Sequence, residues 1–441
     1  MSSENYFRPI QYLGAKTRTL GVIASECKRL YRYNTYVVDL FSGSSIVSQA
    51  LFNNDMAVIS NDALRFCSDI SSCMLCVNKK ANSNSIAIEG ITAFKEYQLD
   101  LSFTEPFVHL IEEERDKLQT KDLLGLRELY DNLPQVGKPS STTEQIQFIR
   151  NHFGCEAFNN APFIVNYYAG TYFGIKQALQ LDCIRSFIEW YYGKKQDEWV
   201  YRAMLCALYS TLSTIVHSAG KHFAQPIAIK DMDLDKITNT RLFENRSYDV
   251  YELFELYLTR IVNETKNKSI PSKNLSWCLD VEKTIFGEQL ATKDVSVIYA
   301  DPPYTAQQYS RFYHIPEVIR EYRYPVLQMH RGHVTQGLYP DDKFKSGFCS
   351  KPKAINAFKT IFEVAAKAGA SLVVSYSESQ KKETGNERMV SKADLIALAN
   401  QTFPRYKLNQ VDFSFNYRQL NSSDNIVENK EDKEFLLIFE R

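Results

Sequence analysis

At 441 residues, with 44% hydrophobic and 24% charged positions, the chain has the length of two or three domains and can bury a full core. Its 52 basic and 52 acidic residues cancel to a formal net charge of +0, which excludes a uniformly basic coat and leaves any nucleic-acid partner to a local basic surface. No apolar stretch approaches membrane length and the N-terminus, MSSENYFRPIQYLGAKTRTL, lacks the apolar block of a signal peptide, so a cytoplasmic protein with no membrane partner is expected.

TYVVDLFSGSSIVSQALFN predicts a buried strand over residues 36–40, a small-residue turn, and a helix opening near Ile46. MAVISNDALRFC predicts a second strand over 56–60 that runs out at Asn61-Asp62. Two strands joined by a helix make a βαβ unit, which implies a parallel sheet. Residues 77–265 instead show helical periodicity, as in IEEERDKLQTKDLLGLRELYDNL. VGKPSSTTEQ (136–145) and TKNKSIPSKN (265–274) read as exposed linkers. Strands return in NLSWCLD, ending near Asp280, in VSVIYADPPY, and over residues 370–375. The last stretch, beginning VDFSFNYRQL, reads as an antiparallel hairpin at the sheet edge. The expected fold is α/β: a Rossmann-like sheet in two parts, 1–76 and 266–441, split by a mainly helical insertion, 77–265. Nine scattered cysteines suit reduced thiols. Cys73 and Cys76 have CxxC spacing but no second pair at zinc distance, so they read as small apolar helix residues and no metal site is expected.

Three strand ends carry chemistry. Asp39-Leu40-Phe41-Ser42-Gly43-Ser44-Ser45 places a tight turn before a helix N-terminus, where a ligand can lie against backbone. With Gly43 as its only glycine it falls short of G-x-G-x-x-G and reads equally as an ordinary βα turn. Asp62 follows the second strand where an acid reaches a ribose hydroxyl, or where it caps a helix. Asp280 holds the analogous place after a later strand, within reach of an adenine. At Asp301-Pro302-Pro303-Tyr304 two prolines, which cannot donate to a sheet ladder, stop an apolar strand and leave a stiff ledge at its carboxyl end.

Taken in order, YLGAKTRTL (12–20), DLFSGSS, SND, DPPY, QYSRFYHIPEVI and LVVSYS resemble the S-adenosylmethionine-dependent amino methyltransferases of DNA, in particular the Dam-like group and its type IIS members. Residues 167–188 and HSAGKHFAQPI resemble the same relatives, so the likeness covers most of the chain, more loosely over 77–160. Ser45 departs from the family, which commonly has a second glycine there. The resemblance implies that Tyr12, Gly14, Lys16, Asp39, Phe41, Gly43, Asp62, Asp280 and Asp301 hold S-adenosylmethionine. It implies that Asp301, Pro302, Pro303 and Tyr304 form the catalytic tetrapeptide. An exocyclic amino group is a poor nucleophile because its lone pair is delocalised into the ring. The Asp301 carboxylate and Pro302 carbonyl can accept its two N–H groups and favour a more tetrahedral nitrogen, and Tyr304 offers a face for an extruded base. No Pro-Cys occurs, as carbon-5 cytosine chemistry would need.

Two regions compete for contact with double-stranded DNA, and the resemblance places target recognition chiefly in the insertion, 77–265. One is the insertion, with Tyr172, Lys221 and His222 as candidates. The other is a basic loop, 323–359, with seven basic residues against Asp341 and Asp342, including Arg331, Lys343 and Lys345. The insertion's aromatics also read as helix core, its histidines as packing, and the basic stretch as a solvated loop. The expected activity is site-specific methylation of adenine N6 in duplex DNA, in restriction-modification or phage defence, with a cognate endonuclease or defence subunits as partners. The alternatives are N4-cytosine, RNA or a protein amide as substrate, or a silent DNA-binding subunit, the last suggested by Ser45.

Overall fold

A computed structural model describes residues 6–97, 107–133, 162–268, 273–378, 388–403, 405–419 and 427–441. The linker expected over 136–145 lies outside these residues, as do positions 269–272 of the second linker.

Seven strands form the main sheet: β1 (Tyr36–Asp39), β2 (Ala57–Asp62), β3 (Leu275–Cys278), β4 (Val295–Ala300), β7 (Ser371–Glu378), β8 (Lys407–Gln419) and β9 (Val427–Glu440). Between β4 and β7 in the chain, β5 (Met329–His330) and β6 (His333–Val334) make a separate two-stranded ribbon. The main order is β3-β2-β1-β4-β7-β9-β8, parallel from β3 to β7, with β9 antiparallel to β7 and to β8. This is the expected sheet with its antiparallel hairpin at one edge. The chain winds outward from β1 to β3, then re-enters beside β1 as β4. The switch point therefore lies between β1 and β4, and ligands of open α/β sheets bind at that place, beyond the carboxyl ends.

The parallel strands are apolar throughout because both faces are covered. Val37, Val58, Val297 and Val373 pack beneath helices α1 (Leu20–Leu30) and α2 (Ile46–Asn53). Their neighbours Val38, Ile59, Ile298 and Leu372 pack on the other face, against Phe358 and Ile361 of the helix Lys351–Ala368 and Leu395 of the helix Lys392–Thr402.

In the described part of residues 77–265, helices run from Ser83 to Thr265. Their apolar core has no boundary against the sheet domain: Phe94, Phe163, Phe187, Leu208 and Leu258 share one cluster with Phe7, Phe66 and Ile70 and with Tyr313 and Ile315 beyond β4. Buried Asp69 of α3 (Arg65–Met74) pins the junction, its carboxylate meeting Arg202 Nη1 at 2.6 Å, Arg320 Nε at 3.1 Å and Tyr209 Oη at 3.0 Å. Residues 323–359 are not a plain loop. They include the β5–β6 ribbon and the first turns of the helix Lys351–Ala368, because Ala354, Ala357, Phe358 and Ile361 recur at helical spacing and bury one stripe.

Candidate active site

A cleft of about 900 Å³, counted to its open mouth, lies at the switch point. The 12–16 segment, the β1–α2 loop, the ends of β2, β3 and β4, and residues 308–310 and 344–348 form its walls. The β1 and β4 ends are brought level by the sheet, with Asp39 opposite Tyr299.

The β1–α2 turn is tight. Leu40 N donates to Tyr299 O, Ser42 N to Asn61 O, and Ser45 N to Ser42 O. Gly43 has φ +49°, and a Cβ there would stand 2.6 Å from Tyr12 Cε1, so glycine alone admits the Tyr12 ring. Tyr12 stacks with Tyr313 (4.5 Å between centroids) and Tyr309 (5.5 Å), residues four apart beyond the ledge whose own rings lie 6.5 Å apart, so the three rings form a cluster. Asp62 braces the same turn: one carboxylate oxygen accepts from Gly43 N and the other from Leu64 N, both at 2.9 Å. The helix-cap reading is therefore partly true, for Asp62 holds the lead into α3. Its carboxyl also lines the cleft.

Lys16 is buried beside the ledge, with Nζ 3.1 Å from Asp301 Oδ1 and 2.7 Å from Glu434 Oε1 of β9. Burial alone would lower the ammonium's pKa, but Asp301 and Glu434 lift it well above its ordinary value. Burial raises the Asp301 carboxyl to about 6, with Lys16 pulling it back and Glu434 pushing it up. Asp39 rises to about 7 and Asp62 to about 6, again chiefly from burial. Three acids thus end three neighbouring strands. Of the described residues lining the cleft, Lys16 is the single cation, facing Asp62, Asp280, Glu282 and Asp301. Such a site is electrostatically suited to a positively charged ligand.

Most of the predicted cofactor residues come together here: Tyr12, Gly14, Lys16, Phe41, Gly43, Asp62, Asp280 and Asp301 all line the cleft. Asp39 does not. It sits behind the turn, accepting from Ser48 Oγ at 2.6 Å. Pro303 lines the cleft and Pro302 is buried beside it. Tyr304 is 8% exposed, edge-on to Tyr376 with the Arg388 guanidinium 5.0 Å from its ring centre. In this conformation the ring braces the ledge and presents no open stacking face. Ser45 adopts a left-handed φ of +63°, is fully buried, and does not line the cleft, so its side chain leaves the ligand space untouched.

Several contributors were not among the expected site residues, although Gln308 and Glu317 lie within QYSRFYHIPEVI. Glu434 lies on the terminal hairpin, and only the β7–β9 register (Ser377 opposite Glu434) brings it to Lys16. Glu282 accepts from Gly347 N at 2.7 Å, and Gln308 exchanges two hydrogen bonds with Ser346, so residues 344–348 are tied across the cleft mouth. Glu317 accepts from Arg65 N at 3.0 Å and Phe66 N at 3.1 Å, capping α3 from the helix His314–Glu321. For Gln308 and Glu317 the motif itself is the signal, whereas Glu282 and Glu434 have none in the sequence.

The predicted DNA contacts divide. Tyr172 is wholly buried, its hydroxyl 2.9 Å from Phe223 O and 3.1 Å from Gly337 O, so it is a core residue and has no surface to offer. His222 packs edge-on to Phe312 and burial lowers its pKa to about 4. His217 is buried and is pushed down to about 3 by the same cause. Lys221, Arg331 and Lys345 are exposed, whereas Lys343 is half-buried and donates to Gln328 Oε1. Cys73 and Cys76 are both buried, but only Cys73 lies on a helix; Cys76 falls in the turn after α3 with φ +57°. Among the described residues no helix is long and apolar enough to cross a membrane.

With the fold and the cleft described, comparison with known families finds a match over about a third of the chain: residues 12–163 match the model described as D12 class N6 adenine-specific DNA methyltransferase. The resemblance to the Dam-like adenine methyltransferases is thus borne out over the span that holds YLGAK, DLFSGSS and Asp62. Two individual relatives are similar along most of the chain. They are the Type II methyltransferase M.FokI of Planomicrobium okeanokoites, 24% identical over 371 residues (83% of this chain, 44% of that protein), and the Modification methylase LlaI of Lactococcus lactis subsp. lactis, 22% identical over 395 residues (89% and 49%). The chain spans about half the length of these relatives.

Proposed function

We propose that the chain transfers a methyl group from S-adenosylmethionine to the exocyclic N6 of an adenine extruded from duplex DNA, as the modification arm of a restriction-modification or phage-defence system. The observation that carries this reading is the acid-rich cleft at the switch point, with Asp301 held on a proline ledge at its floor. The residues fit the donor: a sulfonium is a cation, and the cleft offers four acids to one lysine among its described lining residues. Gly43 leaves a cradle in which a Cβ would collide with Tyr12. Tyr12, Gly14, Lys16, Gly43, Asp62 and Asp280 would hold S-adenosylmethionine, which supplies an electrophilic methyl group.

The chain's own work is orientation. Lys16 holds Asp301 Oδ1 and keeps the carboxylate ionised against its burial, leaving Oδ2 to accept an N–H of the target amino group. The Pro302 carbonyl accepts the other. Both acceptors are pre-set by the prolines, so they cost no reorganisation when the nitrogen attacks. Extrusion of the base is required because a stacked adenine cannot reach a ledge inside a cleft. The description of the family model supports the substrate class, and the names of both relatives support methyl transfer. Digestion of incubated DNA to nucleosides, with mass spectrometry, tests the claim. N6-methyladenine dependent on Asp301 is expected, and N4-methylcytosine or unmodified DNA would sink it.

A further inference from the structure

The β5–β6 ribbon plays no part in the cleft, yet it is built to project. Its tip is Arg331-Gly332, both at positive φ (+51° and +80°), the turn that matches strand twist in a two-residue hairpin. Met329 pairs with Val334 and His330 with His333. Cross-strand partners share a face, and faces alternate along a strand. Val334 packs against the helical core while its partner Met329 is exposed, and the histidine pair takes the opposite face of the ribbon. His330, Arg331 and His333 are all exposed, and residues 324–340 contain no Asp or Glu. The outward face and tip are therefore free of acidic groups from their own segment.

The stem, by contrast, is fixed. Leu327 bridges to Pro340, and Gln328 N donates to Tyr339 O at 2.7 Å. Tyr339 is buried, its hydroxyl accepting from Arg311 Nε at 2.8 Å and donating to Ala224 O. Gly337 approaches Ala224 O so closely that a Cβ would stand 2.4 Å from it. Arg311 belongs to the same short helix, Tyr309–Phe312, whose Tyr309 and Ser310 line the cleft. The ribbon is a rigid outrigger rooted beside the catalytic ledge.

We propose that this ribbon enters a groove of double-stranded DNA next to the extruded base, with Arg331 as its leading side chain. The inference rests on the methyltransferase reading and adds the element that meets the duplex. A two-stranded ribbon fits the major groove, about 12 Å wide, and an arginine at its tip can meet base edges or phosphates.

The variant Arg331→Asn removes the guanidinium while keeping a residue tolerant of the left-handed turn. Its affinity is measured by fluorescence anisotropy for a mixed-sequence duplex oligonucleotide and for one of its single strands, over a salt series. Thermal unfolding and calorimetry with S-adenosylmethionine check the fold and the cleft. Groove entry predicts about a tenfold loss on the duplex, a salt slope smaller by about one, and single-strand affinity within about twofold of wild type. Equal losses on both probes, or unchanged duplex affinity, would overturn it. Failure of the methyl-transfer reading would show separately, as wild-type protein that neither binds S-adenosylmethionine nor labels DNA.

Discussion

Two buried aspartates invite comparison. Asp301 at the end of β4 and Asp182 in the helix Ile175–Lys195 both have carboxyls raised chiefly by burial, to about 6 and about 7. Their surroundings differ. Asp182 is saturated: Oδ1 accepts from Ile164 N at 2.8 Å and Tyr322 Oη at 2.7 Å, and Oδ2 from Val165 N at 2.9 Å. It caps the helix Phe163–Tyr168 and ties residue 322 to the helical core. Asp301 meets Lys16 at one oxygen and lines an open cleft. Burial alone therefore does not mark function. A buried acid with acceptor capacity left over, facing a cavity, does.

The largest expected effect would break the comparison if it failed. Asp301→Ala should cut methyl transfer by about a thousandfold, on the scale of removing one pre-oriented group at a reacting centre, while calorimetry still detects S-adenosylmethionine. Turnover within tenfold of wild type would show Asp301 to be as structural as Asp182. The wild-type pH profile is a milder probe of the same residue. The acceptor must be ionised, so kcat/KM, which reports the free protein, should fall as pH drops through about 6 and level off above it. Asp182→Ala should do the converse. It strands three buried donors, costing roughly 3 kcal/mol or more of stability, read in urea unfolding, with kcat of the remaining folded protein near wild type.

The same contrast explains what could be read in advance. The parallel strands lie within three residues of their expected bounds, β7 running furthest past its expected end, because a sheet covered on both faces demands unbroken apolar runs. The ledge was legible because proline has one meaning at the end of a strand. Glu434 was hidden: a glutamate in a polar-looking hairpin resembles any solvated charge until the β7–β9 register sets it beside Lys16. Tyr172 and Tyr304 were ambiguous for a related reason, since an aromatic beside a turn suits stacking and core equally. Only the packing assigns both to buried positions.

Glu317 lies between the two extremes, and it sharpens the line. Both its oxygens are engaged, as in Asp182, yet the N–H groups it holds open α3, directly after the Asp62 turn. On the proposed function it would be a positioning residue for the cleft wall that carries Asp62. Glu317→Gln keeps one acceptor and loses the other, a change of about 1 kcal/mol. The expected reading is a KM for S-adenosylmethionine raised several-fold with kcat less affected. A lower melting temperature with KM unchanged would reduce Glu317 to a plain helix cap.

Ser45 gives the smallest effect and tests whether a departure from the family pattern is functional at all. Its φ of +63° is a conformation that glycine adopts freely and serine does not, and its buried hydroxyl has no hydrogen-bond partner among the described residues. Both features destabilise the folded chain without touching the cleft. Ser45→Gly should therefore stabilise the protein by roughly 1 kcal/mol, measured as a higher urea midpoint with unchanged slope. Affinity for S-adenosylmethionine should stay within about twofold, since the turn already has its required shape. If affinity instead rose by tenfold or more, the strain at Ser45 would be transmitted to Gly43 and Asp62. The serine would then act as a brake on cofactor binding, which is the one route by which it could favour a catalytically silent role.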